Sequence, residues 1–159
     1  MPQYEMDGKY EPEFQALDAF TQAYIEAMFW TSEAPGVTTE EWQATEDHNE
    51  GSIPGDVGFS DLAPEALATI VRQCARFQAN MAHELAICYR GFHRNGNAYD
   101  EASAGHDFWL TRNGHGAGFW DRFESNTAEG EAADRISDAC RGTSEMDCYL
   151  GDDGKVYVS

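Results

Sequence analysis

The chain has 159 residues, 42% of them apolar and 13% aromatic, with 29 acidic against 10 basic side chains and a formal net charge of −19. That length suits one domain, typically about 100–150 residues, and the apolar fraction supports a real core, which excludes wholesale disorder. No apolar run approaches the ~20 residues that cross a bilayer, MPQYEMDGKY is not patterned as a signal peptide, and the charge excludes direct binding to nucleic acid or an anionic membrane.

The first predicted helix runs from Pro12 to Phe29. Proline suits an opening turn, and Phe14, Leu17, Phe20, Tyr24 and Met28 recur at steps of three and four. Asp18, Gln22 and Glu26 fall between them and predict a solvated side. Residues 31–60 have no sustained period and hold two prolines and four glycines, so they read as one long irregular segment. Within it, Val37–Thr39 is a candidate edge strand. The second predicted helix opens at Asp61 and Pro64 and closes at Gly91. Leu67, Ile70, Val71, Cys74, Phe77, Met81, Leu85 and Cys88 trace its apolar stripe. At about 25 residues it would span roughly 37 Å and form the spine of the fold.

A third helix is expected over Tyr99–Arg112, stopped by Asn113-Gly114, and a fourth over Ala128–Arg141, stopped by Gly142. Last, DCYLGDDGKVYV flanks the hairpin-turn sequence Gly151-Asp152-Asp153-Gly154 with two β-prone runs. A lone hairpin is marginal in water, so it must pack on the helices or join another strand. The predicted fold class is α+β and mostly helical: about four helices with a small C-terminal β-hairpin, in one acidic domain over residues 1–159.

Ala104–Arg122, AGHDFWLTRNGHGAGFWDR, gathers the residues able to carry chemistry. Glycine loops hold phosphate between a strand and a helix N-terminus, but the stretch before Gly114–Gly118 reads helical and no Walker lysine follows. His106, Asp107, His115 and Asp121 are the right groups for a divalent metal or proton transfer, the basis of a small hydrolase or metal-dependent enzyme. A helix here points His106 and Asp107 in different directions, however. The structural reading is favoured. Trp109, Phe119 and Trp120 fill core space, the glycines make tight turns, and Asp107 or Asp121 pairs with Arg112 or Arg122. His48, His83 and His93 each lie alone and read as surface or capping residues. Cys74, Cys88, Cys140 and Cys148 lack metal-ligand spacing and read as reduced core thiols. Neither a metal nor another cofactor is expected.

That central block, with the late GDDGK at Gly151–Lys155, resembles a family of small uncharacterised proteins encoded by bacteriophages and related mobile elements. FTQAYIEAMFW and SDLAPEALATIVRQCARFQ are similar to other blocks of the family. The likeness covers most of the chain outside residues 31–58. It implies a phage protein acting in the cytoplasm of a bacterial host, and it carries over no catalytic residue.

Charge then directs the functional expectation. Residues 1–60 hold 13 acids and one base, residues 61–122 hold 7 and 6, and residues 123–159 hold 9 and 3. In a phage setting this acidity suggests an interaction protein, a DNA mimic that inhibits a host defence protein. A domain of this length is roughly 40 Å wide, and B-DNA of that length carries on the order of 24 charges. The net of −19 is of the same order. The expected partner is a basic host protein that binds nucleic acid, met through Glu40, Glu41, Glu46, Asp47, Glu50 and Asp56 together with Glu129, Glu131, Asp134 and Asp138. The competing explanation is that the surplus only keeps the protein soluble, which the scarcity of lysine also fits.

Overall fold

The structure, a computed structural model, describes residues 5–46 and 51–159. The described helices are α1 (Pro12–Gln15), α2 (Ala19–Ser32), α3 (Thr39–Gln43), α4 (Pro64–Asn80), α5 (Ala82–Cys88), α6 (Glu101–Arg112) and α7 (Ala128–Arg141). The strands are β1 (Glu33–Ala34), β2 (Ile53–Pro54), β3 (Cys148–Leu150) and β4 (Val156–Val158). The class is α+β as expected, but the helices number more than four. Two of the predicted helices are each broken, and α3 forms where none was expected.

Asp18 makes the first break. Its carboxylate accepts the Thr21 N–H at 2.7 Å and caps a new helix, so Pro12–Phe29 divides into α1 and α2. Met81 makes the second, where φ −108° and ψ 19° leave the helical region. Beyond it α5 packs on α7, whereas α4 packs on α2 and β4.

Helices α2 and α6 form the centre. At Gly105 a side chain has no room, because a Cβ there would overlap the Phe20 carbonyl oxygen of α2. This close approach lets Tyr24 and Phe108 meet at 5.3 Å between ring centroids, and Phe108 stacks on Phe77 of α4 at 3.9 Å. Trp109 secures the crossing by donating its indole N–H to the Thr31 hydroxyl at 2.7 Å. Buried side chains cover most of α2, so its predicted solvated side is narrow. Gln22 and Glu26 are half-buried, and burial raises the Glu26 pKa.

The segment between α2 and α4 is built from short pieces. β1 and β2 pair in parallel, Glu33 with Ile53 and Ala34 with Pro54, with α3 between them in the chain. No strand forms at Val37–Thr39, because Thr38 caps α3 by accepting the Glu41 N–H at 3.1 Å. Two 3-10 turns share the pattern Gly-Phe-x-Asp, at Phe59–Asp61 and Phe119–Asp121. In each, the aspartate accepts the glycine N–H three residues earlier, at 3.0 Å for Gly58 and 3.1 Å for Gly118, and the phenylalanine is buried.

The hairpin forms as the turn sequence requires. β3 and β4 are antiparallel, and Gly154 takes φ 78°, the left-handed region that glycine tolerates. It does not stand alone: the Val156 carbonyl accepts the Ala63 N–H at 2.9 Å, fastening β4 to the start of α4. Among the described residues, no helix is long and apolar enough to cross a membrane.

Candidate functional site

The Ala104–Arg122 segment spans α6 and the turn that follows it, and its one buried carboxylate is Asp107. This side chain accepts from Arg122 Nε at 3.1 Å, from Arg122 Nη2 at 2.8 Å and from the Tyr99 hydroxyl at 2.8 Å. Burial alone would raise its pKa. The Arg122 fork, which donates to the carboxylate and carries the opposite charge, and the Tyr99 hydroxyl outweigh burial and hold the carboxyl below its ordinary value. Arg122 is raised in turn, burial being overcome by Asp107. His106 Nδ1 stands 3.9 Å from Asp107 Oδ1, too far for a hydrogen bond, and its ring lies 5.7 Å from that of Trp30. With its lone pairs committed, Asp107 serves as a brace between α6 and the 119–121 turn and has little capacity left to take a proton.

His106, Asp107 and Arg122 line a cavity of about 260 Å³ together with His93 and Ser103. His93 Nε2 and the Ser103 hydroxyl lie 3.1 Å apart, and that hydroxyl is also 3.0 Å from Asp100, which caps α6. Burial and then the Arg122 charge lower the His93 pKa, so the neutral ring is favoured. The four residues of the enzyme reading are not gathered in one place. His115 is exposed and lines a different cavity, beside Trp109 and Asn113, while Asp121 is engaged with the Gly118 amide. Among the described residues, no group of three His, Cys, Asp or Glu side chains is placed to hold a metal.

Two further details of the segment differ from expectation. Trp120 is 47% exposed and fills no core space, because the 3-10 turn directs Phe119 inward instead. Gly105 relieves a helix crossing and not a turn. The expected ion pair forms between Asp107 and Arg122, while Arg112 has no carboxylate partner among the described residues. The cysteines behave as read: all four are buried and unpaired, and burial pushes each thiol up to about 12.

The predicted partner-binding carboxylates occupy two supports. Glu40 and Glu41 are on α3, Glu46 follows it, and Asp56 accepts the Thr39 hydroxyl at 2.7 Å. Asp47 and Glu50, like His48, lie outside the described residues. On α7, Glu131, Asp134 and Asp138 are exposed and share one face by their spacing, whereas Glu129 is half-buried. α3 rests on β2, and α7 rests on α5 and α6. Between α3 and the hairpin runs a groove of about 680 Å³ that holds Trp42, Glu46, Tyr149 and Asp152. Asp152 was missed because the GDDG turn reads as structure alone, and Tyr149 because it reads as a residue of the hairpin's first strand. In comparisons with known proteins, the chain matches no family model, no curated protein and no solved structure.

Proposed function

We propose that the protein is an acidic interaction protein that occupies the nucleic-acid groove of a basic host protein, as a phage-encoded DNA mimic acting in the bacterial cytoplasm. One observation carries this reading. Among the described residues Asp107 is the only buried carboxylate, while Arg112 is buried and Arg122 is turned inward onto Asp107. Every other described carboxylate is therefore at least partly exposed, and part of the cationic complement is not. Glu131, Asp134 and Asp138 add a regular element, three carboxylates within roughly 10 Å along one helix face. The groove beside α3 sets Tyr149 next to Glu46 and Asp152, a lining that suits a lysine or arginine side chain. Attraction of this kind speeds association and weakens with salt.

The test is capture of the tagged protein from host lysate, with elution by rising salt and identification of what is released. The reading expects one basic nucleic-acid-binding protein, displaced by added duplex DNA. Neutralising Glu131→Gln, Asp134→Asn and Asp138→Asn together should lower its affinity at least tenfold and flatten the salt dependence. Unchanged binding in that variant, and in a second carrying Glu40→Gln, Glu41→Gln and Glu46→Gln, would reject the mimic.

A further inference from the structure

Arg112 sits in the last turn of α6 and is only 5% exposed. Its guanidinium donates to the Ser144 carbonyl from Nε at 3.1 Å and from Nη2 at 2.6 Å. Nη1 donates to the Tyr24 hydroxyl at 3.1 Å and to Gln73 Oε1 at 2.6 Å. Every one of these acceptors is neutral. Four of the five N–H donors are used in this way, and the fifth, on Nη2, has no acceptor among the described residues. Taking a cation out of water is costly unless an opposite charge meets it. A chain with 29 acids has nevertheless placed none of its described carboxylates against this arginine.

The space beside it supplies the missing element. Arg112 lines a solvent-open cavity of about 290 Å³, with Arg76 and Asn80 from α4 at its rim and Phe77 and Phe108 in its wall. Arg76 is exposed and has no carboxylate partner among the described residues. α4 carries Arg72 and Arg76, four residues apart, against the single acid Glu65. Salt confines the field of the distant carboxylates to about 10 Å at ordinary ionic strength. The cavity is near the lower end of the sizes that hold small ligands, and it combines an apolar aromatic wall with converging cationic donors.

We propose that this cavity binds a small organic anion, a carboxylate or phosphate monoester on a flat apolar body. The anionic group meets Arg112 Nη2 and Arg76, with the Asn80 amide as a neutral donor, and the body lies against Phe77 and Phe108. This site is independent of the acidic surface and would stand if the mimic reading fell.

Titration of the full chain, followed through its backbone amide resonances, tests this with three probes of one shape: phenyl phosphate, benzoate and neutral benzyl alcohol. Saturable shifts are expected at Gln73, Arg76, Asn80 and Thr143 for at least one anion, with a dissociation constant of about 1 mM or below. The stronger of the two anions identifies the preferred head group. Arg76→Gln, at an exposed position, keeps the fold and should weaken that anion about tenfold. Arg112 is better left in place, since its bonds tie α2, α4 and the Ser144 loop together. Absence of saturation for both anions up to about 10 mM, equal binding of benzyl alcohol, or unchanged affinity in Arg76→Gln would each show that Arg112 is only a structural tie.

Discussion

Asp107 receives three hydrogen bonds from Arg122 and one from Tyr99 while almost wholly removed from water. Substituting Asp107→Asn keeps the shape and deletes the charge, leaving Arg122 with a neutral partner. Breaking one side of a buried pair costs about 3–5 kcal/mol, and Arg122 is partly exposed, so about 3 kcal/mol is expected at neutral pH. The sign of the pH dependence follows from the lowered carboxyl. A group whose pKa is depressed on folding stabilises the native state above its unfolded value and loses that contribution as pH falls through its folded value. The gap between wild type and variant should therefore be full at neutral pH and shrink below the ordinary value of 3.8. Urea unfolding of both proteins across that range checks it; a gap that widens in acid would contradict the assignment. At this scale the sequence was only partly informative. It named Asp107, Asp121, Arg112 and Arg122 as a set of ionic partners, but spacing cannot say which cation turns toward which acid. Nothing in the residues marked Arg112 as the one left without a carboxylate.

The crossing of α2 and α6 depends on Gly105 as the pair at Asp107 depends on charge. A methyl group at that position meets backbone and not a movable side chain, so the helices must separate or tilt. Gly105→Ala is expected to destabilise the protein by about 3 kcal/mol despite alanine's better helix propensity, because overpacking against a rigid carbonyl exceeds the ~1 kcal/mol propensity gain. A variant as stable as wild type in denaturant unfolding would show that the helices stand further apart than described. Elements were the most legible level in the sequence. Ala128–Arg141 forms with both predicted ends, because Thr127 caps its start and its stripe is clean. The hairpin also forms on its turn residues. The first two predicted helices failed at their joints for one reason: periodicity continues through Asp18 and Met81 even though the backbone does not. A capping aspartate spaced like a surface residue is invisible to a pattern count. Gly105 was misread similarly, since a glycine in a helix and one in a turn look alike until the partner helix is known.

Across the whole molecule, charge is the dominant property. With every described carboxylate but Asp107 at least partly exposed, the folded state concentrates repulsion that the unfolded chain relieves. Screening should therefore stabilise it. Raising sodium chloride from about 0.01 to 0.5 M should raise Tm by about 3 °C or more, equivalent to about 1 kcal/mol for a chain of this size. A Tm that stays flat would mean the acids are spread widely enough not to oppose one another, and would weaken the case for a concentrated acidic surface. Total charge was plain from composition, and its concentration in residues 1–60 and 123–159 was plain from position. The groove between α3 and the hairpin was not, because it joins segments about 100 residues apart in the chain.

The bond from Arg112 Nη1 to the Tyr24 hydroxyl has a temporal consequence, since its two ends lie 88 residues apart. At roughly 5–20 residues per second, a ribosome that has made Tyr24 needs about 4–18 s to reach Arg112. Throughout that interval α2, apolar around most of its circumference, lacks the completed α6 that covers it. The nascent chain thus presents an apolar helix before its cover exists, the kind of segment that chaperones shield during translation.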